Sequence, residues 1–449
     1  MMKKYVAPLL NKKINIQISV PGSKSITNRA FLLSALCNNK VFIHGALESD
    51  DTKYMKKALQ DLGVKISNKN NIFEIHGTGG NFIKGVKTLF LGNAGTAVRF
   101  LTATMLLRKD KTIIDGVERM RNRPIKDLID SLRELGAKIE SKTGCPPISI
   151  EGAENYKESV TMKGNNSSQY FSALMQIAPL LKNGLNIAID GELVSKPYID
   201  ITIHIMKQFG AEVVSTPRVI SIKPQKYQAK EFFVEGDASS ASYWFALAAV
   251  TRSTVTVKNL SYTSCQGDVH FVDVLEKMGC KVAKGLTLNA KEKQQFFHLK
   301  KENTSKVKPY GITVTGPKKL KALGKINMNA MPDVAMTLAV VATFAEGETI
   351  IVDVANMRIK ETDRIKALVT EMKKMGIKCE ELPDGLIIHG SSDINLRHGA
   401  EIETYDDHRM AMCFSVLGAV IPNTVILNPN CVSKTYPNFF KEWDKAIKK

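Results

Sequence analysis

"LIDSLRELGAKI", residues 128–139, reads as an amphipathic helix that stops at a glycine and gives way at once to a short apolar strand. The same ending recurs as "MKKALQDLGVKI" around Gly63, "IHIMKQFGAEV" around Gly210, "VDVLEKMGCKV" around Gly279 and "LVTEMKKMGIKC" around Gly376. A turn and a second strand follow, as in "KIESKTGCPPISIEG", so each unit closes with a β-hairpin. The intervals are roughly seventy residues except before Gly376, where the polar stretch Ala283–Lys308 reads as a surface insertion.

Upstream of each amphipathic helix lies a more apolar one, and every copy begins in small polar residues: "GSKSITNRAFLLSAL", "GNAGTAVRFLTATML", "NNSSQYFSALMQIAPLL", "GDASSASYWFALAAV", "NAMPDVAMTLAVVATFA" and "DDHRMAMCFSVLGAV". Near-continuous apolarity predicts helices buried all round. These copies number six, so the missing sixth amphipathic helix is assigned to "YPNFFKEWDKAIKK" and the strand after it to "INIQISV" near the N-terminus. The repeat closes on itself, and one domain should hold both chain ends. A chain of 449 residues exceeds what one core supports, which predicts two domains of three units each. The expected boundaries are residues 1–22 with 237–449 and residues 23–236, with the active site in the cleft between them.

The composition is ordinary for a globular chain, 44% apolar and 24% charged, with no tract long enough to cross a bilayer and no signal-peptide pattern, which predicts a cytoplasmic protein. Seven dispersed cysteines form no CxxC pair, so neither a disulfide framework nor a structural metal site is expected. The net charge of +19 is compatible with nucleic acid, acidic membrane or small acidic substrates, but no basic helix with interleaved aromatics is present.

If the buried helices run parallel, their polar starts gather on one end of each domain, where aligned dipoles favour anions. Charged residues stand beside those starts. "GSKSITNR" brings Lys24, Ser25 and Arg29, and "LGNAGTAVRFL" brings Asn93, Gly95 and Thr96, with Asn93 and Thr96 expected to start the helix. "RMRNRPI" puts Arg119, Arg121 and Arg123 ahead of a helix with Pro124 in its first turn, three guanidiniums that repel unless an anion joins them. "IKETDRI" places Lys360, Glu361, Asp363 and Arg364 in one helical turn, "DDHRMAM" adds His408 and Arg409, and "VSKTYP" adds Lys434. Any one of these has a plain structural explanation, a cap or a surface ion pair; repetition at equivalent positions points to a polyanionic ligand, with phosphate the obvious carrier. Asp333 and Glu361 stand out, because acids in an anion site cost affinity unless they move protons.

These motifs, with "RMRNRPI", "NSSQYFSALMQIAPLL", "SKPYIDIT", "VEGDASSASYW", "MPDVAMTLAV", "RIKETDRI", "TYDDHRMAMCFS" and "VSKTYP", resemble the 5-enolpyruvylshikimate-3-phosphate synthase family along essentially the whole chain. The resemblance implies a two-domain inside-out α/β barrel, three βαβαββ units per domain. The reaction it implies is enolpyruvyl transfer from phosphoenolpyruvate to the 5-hydroxyl of shikimate 3-phosphate, through a tetrahedral ketal and without metal or organic cofactor. It implies Asp333, Glu361 and Lys24 as catalytic residues. Shikimate 3-phosphate would be held by Lys24, Ser25, Arg29, Ser167, Ser168, Gln169, Ser195, Tyr198, Asp333, Asn356 and Lys360. Phosphoenolpyruvate would meet Lys24, Asn93, Gly95, Arg123, Gln169, Arg364, Arg409 and Lys434. Domain closure, a monomeric state and inhibition by glyphosate beside Gly95 are expected as well, with no nucleic-acid or membrane partner. Phe100 is a departure, since the family commonly has proline there, which bears on the pitch of this helix. A neighbouring family, UDP-N-acetylglucosamine enolpyruvyl transferase, normally carries a catalytic cysteine in the loop that here reads "DGVERMRNRPI". A basic binding protein for RNA or acidic lipid is the reading from a different class, and it predicts steep salt dependence.

Overall fold

Small polar residues end the preceding loop and open each buried helix, and four of the six starts are closed by a side chain. Ser23, Ser167, Asp237 and Asp407 each accept a backbone N–H of the first turn. The computed structural model describes residues 3–153, 155–165, 167–285 and 311–448. Among these, twelve helices of seven residues or more alternate in kind. They are α1 (Lys24–Leu36), α2 (Asp50–Asp61), α3 (Gly95–Thr104), α4 (Lys126–Glu134), α5 (Ser168–Ile177) and α6 (Lys196–Gln208), then α7 (Ala238–Thr251), α8 (Phe271–Lys277), α9 (Ala335–Ala342), α10 (Arg364–Lys374), α11 (His408–Gly418) and α12 (Phe439–Ile447). The odd-numbered helices are buried nearly all round, as their apolarity predicts. The helices α2, α4, α6, α8 and α10 are each followed by a glycine with positive φ, from 74° at Gly376 to 109° at Gly136.

The chain divides into two units, Gly22–Val234 and Met1–Pro21 with Glu235–Lys449. Each carries three sheets among the described residues. The pattern is clearest in Lys87–Phe90, Thr112–Asp115, Ile148–Glu151 and Lys138–Glu140: the first two strands are parallel, then antiparallel pairing closes the hairpin. In Gly22–Val234, α3 packs on α1 and α5; in the other unit α7, α9 and α11 pack on one another. Helices fill the cores and sheets surround them, the inside-out α/β arrangement.

The stretch "INIQISV" does not follow the sixth amphipathic helix. Asn15–Ile18 lies parallel to Thr254–Val257 and leads the fourth repeat, while Lys4–Val6 closes the sixth, antiparallel to Val425–Leu427. Glu231–Phe233 is the counterpart of Asn15–Ile18, parallel to Lys40–His44 of the first repeat. Alternation marks all of these as strands but carries no information about which neighbour they pair with. α12 does supply the sixth amphipathic helix, burying Phe439 and Trp443, the latter 5.1 Å from the Trp244 ring of α7. The proposed insertion starts later than its reading: Ala283 and Lys284 belong to the strand Lys281–Lys284, and residues 286–308 lie outside the described residues.

Candidate functional site

In Gly22–Val234, Lys24 opens α1 and pairs with Asp51 of α2 at 3.4 Å. One turn on, Arg29 is buried, and its guanidinium donates to Thr202 Oγ1 (2.8 Å), Ser172 Oγ (3.1 Å) and the carbonyls of Ser25 and Tyr198. Its face lies 5.0 Å from the Phe100 ring. Arg29 thereby stitches α1, α5 and α6 together. α3 runs unbroken through Phe100, which is fully buried, so the departure from proline leaves the helix intact. Ser167 caps α5 by accepting the Gln169 N–H (3.3 Å), Ser168 is its first residue, and Ser195 precedes α6 in the left-handed region at φ 53°.

Three expectations for this unit change. Asn93 and Thr96 do not cap α3: the cap is Ala94, and the Asn93 amide oxygen instead accepts from Arg123 Nη1 at 3.1 Å. Pro124 lies outside α4, whose cap is Ile125; its carbonyl takes hydrogen bonds from Arg99 (3.1 Å) and the Tyr170 hydroxyl (2.8 Å). The arginine cluster separates, because Arg121 is engaged by Asp115 at 2.6 and 3.0 Å while Arg123 turns to Asn93 and Gly95. Arg123 Nε is buried without an acceptor among the described residues.

The unit holding both chain ends carries a continuous charge network. Arg364, the first residue of α10, donates from Nε to Asp407 Oδ2 (2.7 Å), from Nη2 to Glu361 Oε2 (2.7 Å) and from Nη1 to Asp333 Oδ1 (3.2 Å). Arg409 of α11 reaches Asp333 Oδ2 (2.7 Å), the Tyr243 hydroxyl (3.3 Å) and Ser239 Oγ (3.4 Å), the last two on α7. Lys434 Nζ stands 3.3 Å from Glu361 Oε1. The starts of α7, α9, α10 and α11 therefore converge. Burial disfavours the charge on Arg364, but Asp407, Glu361 and Asp333 outweigh it and hold the guanidinium protonated. Lys360, Glu361 and Thr362 precede α10 rather than lying within it: Asp363 is its cap, accepting the Lys366 N–H at 3.1 Å and pairing with Arg358 at 2.9 Å. Asn356 lies in the short helical segment Ala355–Ile359, which packs beside the Pro332–Val334 turn bearing Asp333.

Sequence reading missed Asp407, Asp268 and Asp51. A cap residue and an ion-pair partner look alike in a sequence, and Asp407 is both, accepting the Arg409 N–H at 2.9 Å. Asp268 accepts a hydrogen bond from Ser239 Oγ. Burial first, then the neighbouring Asp333 charge, pushes its carboxyl up to about 7, against the pull of Arg409 and the Ser239 donor.

A helical core wrapped by sheets, with cations gathered where helices begin, places the chain in the inside-out α/β class. Residues 10–443 match the family model described as EPSP synthase (3-phosphoshikimate 1-carboxyvinyltransferase), and the chain belongs to that family. It is 44% identical to the 3-phosphoshikimate 1-carboxyvinyltransferase of Sulfurovum sp. (strain NBC37-1), over 95% of each chain. Against the chloroplastic protein of that name from Solanum lycopersicum it is 43% identical, over 97% of this chain and 83% of that one. The structure of EPSP synthase from Acinetobacter baumannii superposes with a TM-score of 0.79 at 25% identity, covering 99% of this chain and 98% of the other.

Proposed function

We infer that this chain transfers the enolpyruvyl group of phosphoenolpyruvate to the 5-hydroxyl of shikimate 3-phosphate, releasing phosphate. The observation that carries this reading is the buried network in which two acids, Asp333 and Glu361, share Arg364, Arg409 and Lys434. The hydroxyl oxygen bonds to C2 of phosphoenolpyruvate, Asp333 takes the hydroxyl proton, and Glu361, with Lys24, delivers a proton to the methylene carbon. The resulting ketal phosphate returns a methyl proton to Glu361 as its C2–O bond to phosphate breaks, and phosphate leaves with the proton that Asp333 had taken. Anionic substrate competes with Asp333 and Glu361 for the same guanidinium donors, so binding releases the acids for proton transfer while Arg364, Arg409, Lys434 and Arg123 take up the developing negative charge.

Shikimate 3-phosphate is assigned to Lys24, Ser25, Arg29, Ser167, Ser168, Gln169, Ser195 and Tyr198 with Asp333, Asn356 and Lys360; Asn93, Gly95 and Gln169 complete the phosphoenolpyruvate set. Removing a cation from this set, Arg364, Arg409, Lys434 or Arg123, lowers turnover. Glyphosate competes with phosphoenolpyruvate, and the chain works as a monomer. Inorganic phosphate should appear only when both substrates are present. Release with UDP-N-acetylglucosamine in place of shikimate 3-phosphate, or from phosphoenolpyruvate alone, refutes the assignment.

A further inference from the structure

Two consecutive non-glycine residues, Tyr405 and Asp406, stand in the left-handed region at φ 53° and 54°, immediately before the Asp407 cap of α11. That conformation is unfavourable for a tyrosine, so something must hold it. The holding contacts lead away from the charge network and then return to it. The Tyr405 hydroxyl donates to Glu371 Oε1 at 2.7 Å, and Glu371, wholly buried on α10, also accepts both a Lys374 ammonium contact at 2.8 Å and the Glu403 N–H at 3.0 Å. α10 is the helix whose first residue is Arg364. Asp406 Oδ1 accepts from Asn428 Nδ2 at 3.1 Å, and Asn428 precedes the segment Pro429–Lys434, whose last residue is Lys434. Asp407 and Arg409, one and three residues past Asp406, complete the path to Arg364 and Asp333.

We propose that Tyr405 and Asp406 are positioning residues: this turn fixes α10, α11 and the 429–434 segment to one another so that Arg364, Arg409 and Lys434 meet the same anion. Neither residue needs to touch substrate. Their role is to remove the freedom of three long cationic side chains to point elsewhere, which lowers the entropy lost when the anion arrives. A purely structural role would change thermal stability and both substrates alike; a positioning role falls on the donor substrate.

This inference rests on the proposed transfer reaction, and the two can fail separately, since absence of turnover in the unmodified chain refutes the reaction alone. With turnover present, Tyr405→Phe removes one hydroxyl and leaves ring and backbone in place. The KM for phosphoenolpyruvate should rise by roughly ten- to a hundredfold, the yield of one lost hydrogen bond to a charged group, with the KM for shikimate 3-phosphate little changed. Asp406→Ala should act in the same direction. Asp406→Asn, which tolerates the left-handed region and still accepts from Asn428, should restore ordinary kinetics. The proposal is overturned if Tyr405→Phe leaves the KM for phosphoenolpyruvate unchanged, if both KM values move together with the melting temperature, or if Asp406→Asn is as impaired as Asp406→Ala.

Discussion

At the scale of single residues, Gly95 has the most direct consequence. A Cβ added there would come within 2.8 Å of Arg123 Nη2 and 3.0 Å of its Cζ. The obstacle is the end of a side chain, so Gly95→Ala should fold and displace the guanidinium. The KM for phosphoenolpyruvate should rise modestly and the inhibition constant of glyphosate by more, in a competition assay over both ligands. Equal losses would mean that glyphosate gains nothing from close approach to the Gly95 backbone. Asp268 gives a second outcome. Its folded carboxyl titrates near 7 and its unfolded one near 3.8, so between those values the folded chain keeps a proton that the unfolded chain has released. Its stabilising contribution is full below about 4 and disappears as pH rises through about 7. Urea unfolding of the unmodified chain and of Asp268→Asn should therefore diverge with rising pH, the variant becoming relatively more stable; a pH-independent difference would contradict the raised value. The motifs named the cations Arg364, Arg409 and Lys434 directly. They could not name Asp407 or Asp51, because a carboxylate beside a helix start is an ordinary cap until a guanidinium is brought to it from another part of the chain.

At the scale of elements, periodicity was a sufficient guide wherever one face is buried. α12 is the test case: Phe439, Trp443, Ala446 and Ile447 are buried and Lys441 and Lys445 are exposed. Trp443→Ala removes a ring stacked on Phe439 and tilted against Trp244 and should cost about 3–5 kcal/mol of unfolding free energy. Lys445→Ala should change it by less than about 0.5 kcal/mol, and chemical denaturation measures both. Strand pairing was less legible. "INIQISV" alternates correctly, yet its partner is decided by where the chain crosses between units, and Lys4–Val6, only three residues long, offered too short a pattern to claim the sixth repeat. Helix starts were predicted at the level of a residue or two; Pro124 and Lys360–Thr362 fall outside the helices because local side chains, the Ile125 cap and Asp363, set the first turn.

At the scale of the whole molecule, the sixfold repeat made the architecture readable, since a helix too apolar for a surface, recurring with an amphipathic companion, leaves little alternative to a helical core under sheets. The shared register of three cations, by contrast, depends on Tyr405 and Asp406, where backbone strain has no signature in the residue names. The pairing of Lys4–Val6 with a strand more than four hundred residues later has a further consequence for biosynthesis. Gly22–Val234 has all its sheet partners once Glu231–Phe233 has been made, whereas Lys4–Val6 pairs with Val425–Leu427. At about 5–20 residues per second, Lys4–Val6 waits some tens of seconds on the ribosome for its partner, so Gly22–Val234 completes its sheets first and the sheet of the sixth repeat closes only near the end of synthesis.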